Sequence, residues 1–369
     1  MIRLREAPSD LPESLKQIVD YRKSGLSLNH VVGCPLDCGY CVRHLFGNYE
    51  MKRPHLVMSD EAAINTLVNH WAFRPSQTPL QIFNRATDPF LPGVKDHLMK
   101  CLEDLDDRGL KNHLLIITRW IIEAADVEKL ERLRNLKVTI LVTWSGIEDA
   151  RIEPIDSRIA EDSLRVLNGH ARRTKSVLYW RPLIAGLNDA DDHLGKAREL
   201  SGLADATVFT GLFYREQVRA HFDNLGVPEM YPEVARRKIL PAETEKRVLE
   251  ALRGRAIFRK TSCGVAYAHK TADYNGHYGI REICEICPAS QIDLCASEHR
   301  QPTMRQAQAL AIEAGLSPCP ISIDERRVKV MGSTEQQRYF MQHSLKFQVH
   351  DENHPHVYGR HGRAEIGWT

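Results

Sequence analysis

Three cysteines stand close together near the start of the chain, in Cys34-Pro-Leu-Asp-Cys38-Gly-Tyr-Cys41. Their spacing puts three thiols on one short loop, directly after the apolar, β-branched stretch 28–32, which predicts a strand. Three thiolates can hold three irons of a cubane cluster and leave the fourth iron without a protein ligand, whereas closed iron–sulfur sites use four cysteines. An iron left open in this way can take a substrate or cofactor directly. Zinc would need a fourth ligand, for which His44 is the nearby candidate. A disulfide framework fits poorly, because the chain is long and its nine cysteines are an odd number.

A second set, Cys263, Cys284, Cys287 and Cys295, centres on Cys284-Glu-Ile-Cys287. Four thiols are enough to close a cluster or a zinc site. A second 4Fe–4S cluster is the preferred expectation, zinc the alternative. His269, Tyr274, His277 and Tyr278 lie between these ligands. Cys319, flanked by prolines, is a spare ligand or a bystander, and Cys101 falls in a helical apolar pattern with Met99 and Leu102 that predicts core.

The elements that must position these groups alternate. Residues 80–83, 113–118, 137–143, 176–183 and 206–210 read as strands. Residues 92–105, 127–134, 157–168, 190–200 and 242–252 read as helices, and another starts at Ser59-Asp60-Glu61. Residues 13–21 predict a short helix before the barrel, and 213–240 a longer excursion. Alternation of this kind predicts a parallel sheet with right-handed crossovers, here an open six-stranded barrel.

In parallel sheets the C-terminal strand ends face the active mouth. That rule nominates Asn84, Arg85, Thr87 and Asp88, then Thr118, Arg119 and Trp120, then Trp144 and Ser145, then Arg181, then Tyr214 and Arg215. Arginines at four separate strand ends predict an anionic substrate. Arg85, Arg181 and Arg215 are the candidate substrate contacts.

The chain has 369 residues, 43% of them hydrophobic, which suffices for a large barrel domain and an appendage. Fifty Lys and Arg against 48 Asp and Glu leave little net charge, so any nucleic-acid surface must be local. No apolar run reaches the roughly 18 residues of a membrane span, and the first residues lack the apolar core of a secretion signal. A soluble, reducing, cytoplasmic setting is expected. The tail carries a helix over 303–314, short strands at 321–323 and 327–330, a helical stretch at 337–343 and an extended one at 347–350. Its Arg326, Arg327, Lys329, Arg338, Lys346, Arg360 and Arg363 are interleaved with Tyr339, Phe340, Phe347 and Tyr358. Such a mixture suits a single nucleic-acid strand, and equally an ordinary small α/β appendage. His343, His350, His354, His356 and His361 have no metal-site spacing and are expected on the surface.

The first cysteine loop, with Tyr40 before its last cysteine, resembles the signature of the radical S-adenosylmethionine (SAM) superfamily. Thr87-Asp88-Pro89-Phe90, Ile117-Thr118-Arg119, Thr143-Trp144-Ser145, Glu153-Pro154 with Arg158, and the stretch 183–189 resemble elements of its spore-photoproduct-lyase-like branch. The resemblance covers about residues 20–215. It implies a 4Fe–4S cluster with one open iron on Cys34, Cys38 and Cys41, and SAM chelating that iron. It further implies SAM contacts from Tyr40, Thr87, Asp88, Arg119 and Ser145, and an electron donor such as flavodoxin or ferredoxin. The lyase's hydrogen-donating cysteine near the end of strand two has no counterpart in Asn84-Arg85-Ala86. Thymine-dimer repair by the same route is therefore not expected.

The expected fold is a partial (β/α)6 radical SAM barrel over 28–255, after an N-terminal segment 1–27. A cysteine-rich extension over 256–300 and a small α/β appendage over 301–369 follow. The expected function is reductive cleavage of SAM and modification of a nucleic acid, nucleotide or other phosphate-bearing substrate. Two rivals stand beside it: a radical SAM maturase of peptides or small metabolites, and a non-catalytic iron–sulfur sensor that binds nucleic acid. Salt-sensitive oligonucleotide binding separates the nucleic-acid version from the metabolite version.

Overall fold

The computed structural model describes residues 4–235, 238–316 and 319–353. An eight-stranded sheet runs through the molecule. Its strands are β1 (Val19–Arg22), β2 (Gly25–Leu28), β3 (Leu80–Ile82), β4 (His113–Thr118), β5 (Lys137–Trp144), β6 (Lys175–Leu183), β7 (Ala206–Gly211) and β8 (Ile257–Phe258). The strands lie side by side in chain order. β1 and β2 form an antiparallel hairpin, and every later neighbour pairs parallel. Sequential parallel strands with one sense of crossover place their helices on one face. Those helices are α1 (Asp60–Val68), α2 (Lys95–Asp107), α3 (Ala124–Glu131), α4 (Ser157–His170) and α5 (Asp191–Ser201). The sheet is an open barrel wall, and among the described residues its two edges, β1 and β8, do not pair.

Period-two alternation sorts the side chains between the two faces. Leu114, Ile116, Ile140, Val142, Leu178 and Trp180 join the main core. Their sequence neighbours Leu115, Leu141 and Val177, with Val208 of β7, form a separate inner cluster. Along three of the strands this inner face changes from apolar to polar toward the C-terminal end, at Thr143, Tyr179 and Thr210, which line a cavity together with Ile117.

The expected helix over 13–21 is only Glu13–Lys16, followed by the unanticipated strand β1. Val19 and Tyr21 alternate in a β pattern and are buried, so sheet pairing wins over the helical reading. The expected strand over 28–32 is broken. The chain leaves the sheet after Leu28, and Val31–Val32 pairs instead with His55–Leu56 in a separate sheet that also holds Arg5–Glu6. The excursion contains the helix α6 (Glu216–Asn224). After it come α7 (Ala242–Ala251), β8 and then α8 (Thr261–Ala268), which packs Cys263 and Val265 against the inner face. Gly264 permits this approach, since a Cβ there would meet Val208 Cγ2 at 2.6 Å. A helix, not sheet closure, therefore covers the inner cluster.

The tail closes the remaining side. Its strands β9 (Ser322–Ile323), β10 (Arg327–Val330) and β11 (Gln348–Asp351) form a small sheet. Asn275 ties three parts together: it donates to the Lys23 carbonyl at 3.0 Å, while Gln342 and Gln348 donate to it. Both glutamines belong to the tail, as does His343, which pairs with Tyr21 of β1 at 3.1 Å. His343 and His350 are accordingly buried rather than on the surface. His354, His356, Tyr358, Arg360, His361 and Arg363 lie outside the described residues. No helix among the described residues is long and apolar enough to cross a membrane.

Candidate functional site

The first cysteine loop is fixed from several directions. Cys34 N donates to the Met51 carbonyl at 2.8 Å and Gly33 N to that of Ala86 at 3.1 Å. Gly39 N donates to the Ile152 carbonyl at 2.9 Å. A Cβ at Gly39 would lie 2.7 Å from the Phe222 ring and 2.8 Å from the Arg151 carbonyl, so only glycine fits between them. The Arg43 side chain is buried and donates to the carbonyls of Leu36, Asn48, Tyr49 and Met51 at 3.0–3.4 Å. One guanidinium thus satisfies four buried acceptors on both sides of the loop. Local sequence gave no sign of this, because Arg43 reads as one more charge in a basic stretch.

Cys34, Cys38 and Cys41 all line a cavity of about 650 Å³ at the C-terminal ends of the strands. Arg119 Nη1 donates to Cys38 Sγ at 3.1 Å. Tyr40 donates to the Glu153 carboxylate, which also stands 3.6 Å from Cys38 Sγ. Arg119 lies over the Tyr40 ring, 5.3 Å from its centroid. Burial pushes the Cys38 thiol well up, and the Arg119 charge opposes that shift. Cys34 is raised by burial too, against the charge of Arg43. Cys34 and Cys38 therefore each have a cation positioned to favour the thiolate.

Asp88 organises the floor. Its carboxylate accepts from Thr118 Oγ1 at 2.6 Å, Arg119 N at 2.8 Å and Phe90 N at 3.0 Å. Burial raises the carboxyl despite these donors. Asp88 thus holds the Arg119 backbone that aims the guanidinium at Cys38. Thr87 and Thr143 line the cavity, and each has a buried hydroxyl with no hydrogen-bond partner.

The candidate residues fall into two groups. Tyr40, Thr87, Asp88, Arg119, Arg181 and Arg215 line the cavity together with the three cysteines. Ser145 does not line it. Its hydroxyl accepts from Ile147 N at 3.2 Å, closing the turn after β5, and Thr143 on the same strand faces the cavity instead. Arg85 borders the cavity, but its guanidinium donates to the carbonyls of Ser14 and Gln17 at 3.0 and 2.8 Å and lies 3.5 Å from Asp20. It pins the N-terminal segment rather than offering a free fork. His44, the candidate fourth zinc ligand, stacks on Tyr49 and donates Nε2 to the Gly39 carbonyl at 3.1 Å. Lys238 and Tyr179, absent from the strand-end candidates, also face the cavity.

Cys263, Cys284, Cys287 and Cys295 line one small pocket of about 10 Å³. Asp273 and His277 stand beside Cys263, each 3.8 Å from its sulfur, and Gln291 Nε2 and Asp273 N donate to Cys295 at 3.3 and 3.4 Å. Such neighbours orient ligands. His277 also borders the large cavity, so the pocket and the cavity share a wall. Among the described residues the compact ligand groups, with donor atoms within 4.8 Å of one another, are His30–Asp60–Cys101 and Cys263–Asp273–His277. Neither cysteine set is drawn in to that spacing, which a single tetrahedral zinc with bonds of about 2.3 Å would require. Cys319 lies apart, bonded to Met331 N at 3.2 Å in the tail. Cys101 is core.

The tail's cations are engaged internally. Arg327 and Lys329 pair with Asp324, Arg338 with Ser333 and Asp351, Lys346 with Glu298, and Arg326 with the Gly279 carbonyl. Phe340 and Phe347 are buried, and Tyr339 lines the cavity. The described part of the tail contributes Arg338, Tyr339, Gln342 and Val349 to the cavity wall.

No family model matches the chain, and no curated protein does. Among solved structures, spore photoproduct lyase complexed with dinucleoside spore photoproduct is similar at 14% identity and a TM-score of 0.46, over 66% of this chain and 76% of that one. A variant of that lyase with bound AdoMet and dinucleoside spore photoproduct is similar at 11% identity and a TM-score of 0.48, over 70% of this chain and 86% of that one. SuiB of Streptococcus suis bound to S-adenosylmethionine is similar at 9% identity and a TM-score of 0.39, over 69% of this chain and 54% of that one.

Proposed function

We propose that the protein is a radical SAM enzyme whose reaction chamber is the large cavity, and that its substrate carries phosphate. The observation that carries this reading is the delivery of Cys34, Cys38 and Cys41 to the wall of one cavity at the C-terminal strand ends. Three thiols, a guanidinium on one of them and two unpartnered buried hydroxyls are a donor set that fits an open cluster and a polar ligand beside it. Cys34, Cys38 and Cys41 would hold the cluster. Thr87 and Arg119 would contact SAM, and Asp88 would set the position of Arg119. When bound, the cluster and SAM would supply a 5′-deoxyadenosyl radical, able to take hydrogen from an unactivated carbon.

The chain's own residues do the rest. Arg119 holds the Cys38 sulfur and offsets its charge. Arg181 and Arg215 line the same cavity and are the substrate contacts. Tyr339 and Gln342 of the tail line the chamber and would limit the water that reaches a reactive species. A chamber of about 650 Å³ is of small-molecule size. It favours a nucleotide, or one unit of a larger nucleic acid, over a bound strand. The second cysteine set would hold a 4Fe–4S cluster one wall away, which suits electron relay or stapling of α8.

The test is anaerobic reconstitution with iron, sulfide, SAM and dithionite, read as 5′-deoxyadenosine and methionine. Both products are expected from the wild type. Intact SAM after prolonged reduced incubation would favour a non-catalytic iron–sulfur sensor instead.

A further inference from the structure

Among the described residues, two cations on the cavity wall have no carboxylate to balance them. Arg181 Nη1 donates to the Tyr179 hydroxyl oxygen at 3.2 Å, and Lys238 Nζ lies 3.4 Å from the same oxygen and 3.1 Å from Thr210 Oγ1. Thr261 Oγ1 is a third group at that oxygen, at 3.4 Å. Among the described residues, neither Arg181 nor Lys238 has a carboxylate partner. Burial lowers the Lys238 ammonium; the Tyr179 oxygen opposes that shift and repulsion from Arg181 adds to it. Burial would raise the Tyr179 phenol, but Lys238 and Arg181 outweigh it and pull the group down to about 7. A phenolate at Tyr179 would offset at most one of the two positive charges, so the site keeps a net positive field.

Two further features point into the same space. Thr143 sits directly across the ladder from Tyr179, and its buried hydroxyl lacks a partner. Thr261 begins α8, whose first backbone N–H groups have no intrahelical acceptor and whose start lines the cavity. Buried charges are ordinarily paired. The missing counter-charge is therefore one that arrives with a ligand.

We infer that Arg181, Lys238, Thr143 and the start of α8 form an oxyanion subsite that takes a phosphoryl group of the substrate, with Tyr179 as its hydroxyl donor. Donors from separate elements suit a tetrahedral phosphoryl group better than a planar carboxylate, which a single arginine fork serves. This deepens the reading of the cavity as a reaction chamber and rests on it for the word substrate. The binding itself needs neither cluster nor SAM.

The experiment is calorimetric titration of inorganic phosphate into the anaerobically purified protein, without SAM or reductant, with acetate in a parallel arm. Saturable phosphate binding is expected, at least tenfold tighter than acetate. Lys238→Met and Arg181→Met should each weaken it by tenfold or more, and Tyr179→Phe by less. Should the methionine variants fail to fold, phosphate should still protect Lys238 of the wild type from acetylation by an amine reagent, read by mass spectrometry. Absence of saturable binding, unchanged affinity in both methionine variants, no protection of Lys238, or acetate binding as tightly as phosphate would overturn the subsite. A negative result here leaves the SAM-cleavage assay untouched, and failure of that assay leaves this binding measurable.

Discussion

Cys34, Cys38 and Cys41 face a cavity of about 650 Å³, whereas Cys263, Cys284, Cys287 and Cys295 enclose about 10 Å³. The first set has an arginine directed at a sulfur and unpartnered hydroxyls nearby. The second has its own backbone and side-chain donors, with Asp273 and His277 packed against Cys263. Thiol number alone separates an open cluster from a closed one. The surroundings differ in the same sense as that proposal: one set borders space for a ligand, and the other borders almost none. The same element, α8, carries Cys263 of the closed set and, at its start, a wall of the open chamber.

The contrast can be broken or sharpened by substitution. Cys38→Ala should abolish SAM cleavage and remove about one cluster's worth of iron, measured by product assay and metal analysis. Cys287→Ala should remove a similar amount of metal and lower the melting temperature, because α8 and the Asn275 contacts lose their anchor. It should nevertheless leave SAM cleavage detectable. Equal loss of cleavage in both variants would erase the distinction drawn between the sets.

Arg119→Met should keep the iron of the first site and slow cleavage about tenfold, the effect of losing about 1.4 kcal/mol of a charge-assisted contact. Gly39→Ala should cost about 1–3 kcal/mol in a denaturant melt, since the added methyl overpacks against Phe222 and the Arg151 carbonyl. That loss should appear as loose binding at the first cluster and not at the second.

The smallest effect lies away from both sets. Asp106 accepts from the N–H groups of Arg134, Asn135 and Leu136 at 2.7–2.8 Å, and these bonds hold its carboxyl below the usual range although burial works to raise it. A depressed folded-state pKa adds stability above the unfolded value of about 3.9, and that stability is lost as pH falls toward the folded value. Asp106→Ala should therefore cost about 1–2 kcal/mol at pH 7. The difference from wild type should shrink below about pH 3.9, while metal content at both sites stays unchanged.

What the sequence made legible follows the range of the forces involved. Strand β4 falls exactly where its apolar run places it, since alternation along a strand is a local signal. The three-thiol loop, Thr87, Asp88 and Arg119 were legible because strand ends in a parallel sheet share one mouth. Arg85 borders the cavity as expected of a strand end, but its partners at Ser14, Gln17 and Asp20 are some seventy residues away and carry no local mark. Ser145 falls outside the cavity lining because position 145 lies one residue past Trp144, where the chain has already turned. Lys238 and Tyr179 were missed because one lies in an irregular excursion and the other mid-strand, and only the fold brings them together. The tail's arginines and aromatics were compatible with a nucleic-acid face in composition; Arg338, Phe340 and Phe347 prove buried, while Arg326 and Lys346 stay exposed.

The central claim is that the first cluster keeps an iron free for SAM. The direct measurement is the electron paramagnetic resonance spectrum of the dithionite-reduced Cys287→Ala protein, which isolates that cluster, recorded with and without SAM. SAM is expected to change the signal, and the change should vanish in Cys38→Ala. A reduced-cluster signal that is identical with and without saturating SAM would contradict the account.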